Sequence, residues 1–407
     1  MPNNQTQPET TEPINGYTAR WVVPVSQPPI ERGVIIVKGE QIIEVASADQ
    51  LRTNIDGSLI DLGESIIFPG LVNAHTHLEH PVLPESPANF IKYIGFQQNF
   101  YTQANEADLA VNASANLKDC IAFGTVAVAD FSARGASYPA LSENPVFARL
   151  FFEINGFKNH QAGQIIRTYR ELIKDQSTAR RVTQHLAPSS VWSLSPQLFR
   201  EISLSERHIA IHMGLLPDEN DFTLNGTGLM RQILLAREDF DFSWQVPGLS
   251  AIRYFFSNHF YARHNILTHL THVTAEEIDF IKEFGVKVNV CLCPRSSKIF
   301  SDTKAPVGML LEKGINLCLG TESRALVPDL DVRKEMIACV DSYGVSPESA
   351  LKFATLNGAY AIGFHKEVGS LETGKTARCL VLDCSDMAAG NPHEMILSAS
   401  QAPRWLI

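Results

Sequence analysis

Two histidines two positions apart, His75 and His77, lie in the segment Phe68-Pro-Gly-Leu-Val-Asn-Ala-His-Thr-His-Leu-Glu-His80. On a strand both imidazoles point to the same face, because side chains alternate with period two. Two converging imidazoles make half of a metal site, although a bare His-x-His pattern is a weak signal. Three other segments strengthen it. Ile209-Ala-Ile-His212 and Ile266-Leu-Thr-His269 each close an apolar run with a histidine, and Leu317-Cys-Leu-Gly-Thr-Glu322-Ser323 closes another with a carboxylate. Gathering five such groups around one cavity is costly without a cation. Glu79, two residues beyond His77, shares its face if the strand continues and is a candidate proton carrier. Asp218 and Glu219, after His212, are further candidates, with a solvated loop acid as the plainer reading. His80, His259, His264 and His272 read as supporting or surface histidines.

The elements that must position these residues form a regular series. Apolar strands are expected at Ile66–Ala74, Thr125–Phe131, Val146–Ile154, Val182–Ala187, Ile209–Met213, Ile266–His269, Val286–Leu292 and Ile315–Gly320. Helical stretches alternate with them, among them Asn105–Phe123, Ala162–Lys174, Pro196–Ser205, Ala275–Phe284 and Val307–Lys313. Such alternation predicts a parallel sheet buried on both faces, and eight units over this length predict a (β/α)8 TIM barrel of α/β class. The competing doubly wound fold is weakened because no Gly-x-Gly-x-x-Gly follows a strand. Residues 15–66 have a different texture: short Val/Ile-rich strands with a hairpin turn at Lys38-Gly39-Glu40. A turn and short strand within Val368–Asp383 return to that module. The expected organisation is a disordered tail at 1–14, a composite β-sandwich from 15–66 and 366–407, and a barrel at 67–365.

Composition narrows the function classes. The chain has 407 residues, 44% of them hydrophobic, and a formal charge of −10. That charge argues against a nucleic-acid partner, and no apolar run is long enough for a transmembrane helix. The polar, acidic Met1–Pro13 has no basic or apolar region of the kind a signal peptide needs. Seven scattered cysteines suit reduced thiols in a cytoplasmic protein. Each sits in an apolar run, so none is placed in catalysis. The expected partner is a small-molecule substrate; a homo-oligomer is compatible with the fold but not indicated by it.

Taken together, Pro69-Gly-Leu-Val-Asn-Ala-His-Thr-His, Cys293-Pro-Arg-Ser296, Leu319-Gly-Thr-Glu-Ser323 and Ala354-Thr-Leu-Asn-Gly-Ala359 resemble the amidohydrolase superfamily. The resemblance runs from about Tyr17 to Asp383. It is nearest to the branch of cytosine, guanine, S-adenosylhomocysteine and aminodeoxyfutalosine deaminases and triazine chlorohydrolases. It implies a barrel with a composite sandwich and one divalent metal, Zn2+ or Fe2+. His75, His77 and His212 would be ligands, joined by Glu322 in the place of an eighth-strand aspartate. His269 would orient water or substrate. The implied chemistry is metal-assisted hydrolysis, in which water becomes nucleophilic at neutral pH and attacks an electrophilic carbon.

Four departures from that branch fall in the expected pocket. Leu215 stands where the deaminases carry a proton-shuttling glutamate, Glu322 replaces aspartate, Ser189 replaces a substrate-contacting histidine, and Leu292 replaces a histidine before Cys-Pro-Arg-Ser. The extra methylene of Glu322 displaces its carboxylate by ~1.5 Å unless the backbone compensates. The metal histidines remain while polar ring-handling groups are lost. This predicts a metallohydrolase acting on a C–N or related bond of a small cyclic substrate, and not a standard deaminase. The alternatives are a metal-dependent lyase or isomerase, and a catalytically degenerate barrel with a binding role. Phe90, Tyr93 and Phe96 are expected in the pocket wall or in ordinary helix packing, as are Trp192, Phe240–Trp244 and Arg253–Phe256. Arg295 is expected to tie its loop by hydrogen bonds.

Overall fold

The computed structural model describes residues 12–174, 181–258, 264–283, 287–387 and 390–407. The chain divides into two units, one formed by the N-terminal part up to Gly70 with Lys366–Ile407, the other by Leu71–His365. The first contains two sheets. One pairs Ile14–Thr18, Gly33–Lys38, Gln41–Ser47 and Leu59–Asp61, and the other centres on Ser65–Pro69 beside Cys379–Asp383. Alternating apolar residues of both, including Val22, Ile35, Val37, Ile67, Cys379 and Val381, make one core. The hairpin at Gly39-Glu40 is present, with Gly39 at φ +56°.

The second unit is a (β/α)8 barrel. Its strands are β1 (Leu71–Thr76), β2 (Thr125–Ser132), β3 (Phe147–Ile154), β4 (Val182–Pro188), β5 (His208–Met213), β6 (His264–His269), β7 (Lys287–Leu292) and β8 (Asn316–Leu319). They form two parallel four-stranded sheets, β1 to β4 and β5 to β8. Single parallel bridges join the sheets, Ser190 with His212 and Thr76 with Glu322. Burial on both faces explains why these strands read as nearly continuous apolar runs.

Two boundaries differ from the sequence expectation. The run expected as one strand, Ile66–Ala74, is two: Ser65–Pro69 pairs antiparallel with Cys379–Asp383, and after Gly70 the chain enters β1. The barrel unit therefore begins at Leu71, not at residue 67. At the N-terminus Ile14 already belongs to a strand, while residues 1–11 of the expected tail lie outside the described residues. Among the described residues no helix is long and apolar enough to cross a membrane.

Candidate active site

The parallel strands deliver their last residues to one end of the barrel. β1 brings His75, with His77 the residue just after the strand, β5 brings His212, β6 ends on His269, and the turn after β8 brings Glu322. β8 can lie against β1 because position 320 is glycine. A Cβ there would stand 2.6 Å from the His75 Cβ and 2.8 Å from its backbone nitrogen and oxygen. Two residues on, Glu322 occupies the left-handed region at φ +62°, and His269 does so at φ +78°. Non-glycine residues rarely adopt it, and strain of this kind collects where surroundings over-determine a functional side chain. The Glu322 backbone is pinned to β1 in both directions: its N–H donates to the His75 carbonyl (3.1 Å) and its carbonyl accepts from the His77 N–H (3.0 Å). Below it the Thr321 N–H donates to Asn73 Oδ1, and Asn73 Nδ2 donates to Thr321 Oγ1.

Ligand atoms of His75, His77, His212 and Glu322 all lie within 4.8 Å of one another. His75 Nε2 is 2.8 Å from Glu322 Oε2 and 3.2 Å from His212 Nε2. The Nδ1–H of His212 points at the Ser189 carbonyl (3.0 Å), which turns its Nε2 toward the cluster. His77 is fully buried, yet neither ring nitrogen makes a hydrogen bond among the described residues. Buried polar atoms normally have partners, so ring nitrogens left open around a carboxylate fit a divalent cation. Three imidazoles and one carboxylate are a donor set for zinc or iron.

The electrostatics agree with that reading. Burial pushes His77 and His269 down to about 3, so both imidazoles are neutral. Burial alone would raise Glu322, but His77, His75 and His212 hold it well below the usual carboxylate range. Burial also opposes charge on His212, and Glu322 with Glu153 outweighs it and raises His212 to about 9. Tyr93, on helix α1 (Phe90–Gln103), donates its hydroxyl to Glu322 Oε1 at 3.0 Å. His269 is oriented by Ser297, whose Oγ is 3.0 Å from Nδ1, so that Nε2 faces Glu322 at 3.6 Å.

Above the cluster is a cavity. Phe90, Ile94, Trp192, Leu215 and Phe300 give it apolar walls, and His212, His269 and Glu322 form part of its polar lining. Ser189, Leu215 and Glu322, three of the four departures, line it; Leu292 does not and is instead core at the end of β7. Phe96 packs beside His80 and Tyr93. Phe240 and Trp244 belong to an aromatic core, and Phe255 and Phe256 are buried in a helix.

The structure does not bring Glu79 to the cluster. Its carboxylate is buried and accepts from Ser132 Oγ, the Ala133 and Ala136 N–H groups and Tyr101 Oη, so it organises the loop after β2. Glu219 is no solvated acid. It is buried, lines the cavity and accepts from the N–H groups of Gly214 (3.0 Å), Leu215 (2.8 Å) and Leu216 (3.3 Å). Burial pushes it up to about 7 against those bonds. Asp218 is half-exposed and accepts from the Leu229 N–H. His80 is buried, stacks on His77 and pairs with Ser323 Oγ; His272 pairs with Ser301 Oγ. His264 starts β6 at the far end of the barrel, and His259 lies outside the described residues. Arg295 ties its loop to Glu335 and Asp329. Sequence reasoning passed over Glu153, which lines the cavity from the end of β3. Its one available signal was a lone acid in the apolar run Phe147-Ala-Arg-Leu-Phe-Phe-Glu-Ile154.

A barrel that presents three histidines and a carboxylate at its strand ends defines a class of metal-dependent hydrolases. The Amidohydrolase family pattern matches residues 66–401, and the chain belongs to that family. It is 25% identical to the 5-methylthioadenosine/S-adenosylhomocysteine deaminase of Moorella thermoacetica, across 94% of this chain and 89% of that protein. Its fold matches a zinc-bound adenosine deaminase from Xanthomonas campestris with a TM-score of 0.79 and 19% identity, covering 96% and 90% of the two chains. It also matches the aminofutalosine deaminase of Helicobacter pylori with a TM-score of 0.80 and 17% identity, covering 96% and 97%.

Proposed function

We propose that this enzyme hydrolyses a C–N (amino or amide) or related bond of a small cyclic substrate, with one zinc or iron ion, and that it is not a standard deaminase. The observation that carries the reading is the preserved donor set beside an altered cavity. His75, His77, His212 and Glu322 converge, while Leu215 puts an aliphatic side chain where the related deaminases place their glutamate. His75, His77, His212 and Glu322 would hold the ion, which supplies Lewis acidity when bound.

The chain's own groups supply the remaining chemistry. Glu322 is ionised and accepts a proton at a carboxylate oxygen, with Tyr93 fixing the other oxygen. His269 donates or accepts at Nε2 toward the reacting group, held in orientation by Ser297. Glu219, at about 7, lines the same cavity and suits protonation of a departing amine. Environments that separate two carboxylates in this way divide base and acid duties between them. The apolar walls favour a flat ring.

The test is metal analysis of the purified protein with a panel of amino-, amido- and halo-substituted heterocycles. One zinc or iron per chain and turnover of a panel member, lost at least about a thousandfold in His212→Ala, are expected. Stoichiometric metal with no turnover across the panel would overturn the hydrolase reading and favour a binding role.

A further inference from the structure

Part of the cavity lining comes from the ends of β3 and β4, and its polar groups are not used by the proposed reaction. Glu153, the next-to-last residue of β3, faces the cavity with little exposure. Its ion-pair-range neighbours among the described residues are only two imidazoles, His77 Nδ1 at 3.8 Å and His212 Nδ1 at 3.6 Å. Ser189 donates its hydroxyl to Glu153 Oε1 at 2.7 Å. Ser190 is 5% exposed and lines the same cavity, and its hydroxyl has no hydrogen-bond partner among the described residues. None of the described lining residues is a lysine or arginine. Phe90 and Trp192 add aromatic surface beside these groups.

A carboxylate that accepts a hydrogen bond only from Ser189 among the described residues, in a cavity shared with an orphaned hydroxyl, is an incomplete hydrogen-bond array. Such groups are normally satisfied, and a pocket uses a few of them to orient its ligand. The group that completes this one must donate hydrogen bonds and tolerate or carry positive charge. We infer that this corner takes the N–H edge of an amidine or guanidine-like unit on a flat ring, with Glu153 accepting its hydrogen bonds and Ser190 adding a polar contact. The aromatic faces favour the same ligand, since delocalised cations are attracted to them. An anionic ring substituent would meet Glu153, while Arg237, which lines an adjoining cavity with Glu153, donates to Gln98 Oε1 and the Ile94 carbonyl.

This substrate class rests on the hydrolase reading for where the reacting bond lies, but recognition can be measured without turnover. Isothermal titration of metal-loaded protein with benzamidine and the neutral isostere benzamide makes the test. Benzamidine is expected to bind at least about tenfold tighter, as a charge-assisted hydrogen bond would give. Glu153→Gln should bring the two ligands within about threefold of each other, and Ser190→Ala should weaken benzamidine by a smaller factor. Metal content is measured on each sample, and affinities refer to the loaded fraction. Equal binding of the two ligands by the wild type, or a benzamidine preference that persists in Glu153→Gln, overturns the proposal. The wild-type comparison decides even where that variant does not fold, and Glu153→Asp, with its carboxylate withdrawn, should show a reduced preference. A panel without turnover would sink the hydrolase reading and leave these affinities unchanged, so the two failures are separable.

Discussion

Strands β5 and β6 carry a histidine near each end, and the two ends of the barrel treat them in opposite ways. At the C-terminal end His212 and His269 join His75 and His77 around Glu322. At the other end His208 and His264 face each other across the strand pair with rings 4.8 Å apart, next to His185 and Arg149. There His185 spends both nitrogens. Nε2 is 2.8 Å from Arg149 Nη1 and Nδ1 is 3.0 Å from Glu206 Oε2, while Arg149 Nε donates to the Ile362 carbonyl. A guanidinium already supplies the positive charge at that end. Among the described residues lining the cavity above the cluster none is a lysine or arginine, and ring nitrogens stay open toward an acid. Histidine count alone therefore says little about chemistry: His208 Nδ1 is open at the far end too, and what separates the ends is a guanidinium among the rings at one and a carboxylate among them at the other.

The comparison can be broken most decisively by paired truncations. His212→Ala should lose bound metal and at least about a thousandfold in kcat, whereas His208→Ala should keep metal and stay within about threefold. Metal analysis and steady-state rates on both variants check this, and comparable losses in the two would erase the distinction. A smaller effect comes from the support of the carboxylate. Tyr93→Phe removes one hydrogen bond to Glu322 and should weaken metal binding about tenfold in chelator competition, with the fold unaltered by circular dichroism. Leu215→Glu places a carboxyl in the position where the deaminases hold their shuttle. It should confer weak deamination of an aminopurine or aminopterin, followed by ammonia release.

The smallest effect belongs to the far end. Burial first, then Arg149, His185 and His264, lower His208 to about 3. The folded chain thus binds fewer protons there than the unfolded chain, whose histidine titrates near 6.5. Stability contributed by neutral His208 is present above 6.5 and declines as pH falls toward 3. His208→Asn should flatten the acid limb of a denaturant-derived stability curve over that window, with the change damped by solvent because the ring is partly exposed.

Much of this was legible in the chain. The strand ends bearing His75, His77, His212, His269 and Glu322 stand out because polar residues interrupt apolar runs at recurring places, and Arg295 could be assigned to loop tethering. The break at Gly70 was not legible, because Ser65–Pro69 is claimed by Cys379–Asp383, some three hundred residues away, and no local period encodes such pairing. Glu79 and Glu219 exchanged expectations for a similar reason. Glu79 follows His77 with strand spacing, but β1 ends at Thr76 and the chain turns, handing its carboxylate to backbone N–H groups near Ala133 and Ala136. Glu219 looked solvated until the loop after β5 folded over it. Glu153 carried no spacing signal, and Tyr93 reached Glu322 from a helix that sequence could place near the mouth but not aim.

The two bridges that unite the four-stranded halves fall at residues of the cluster, Thr76 with Glu322 and Ser190 with His212. His75 and His77 belong to one half, His212 and Glu322 to the other. An ion held by all four would act as a clasp across both seams. Stripping it should loosen the molecule along those lines, and the halves would then part at lower temperature than in the loaded protein, since whatever binds only the folded form raises its melting point.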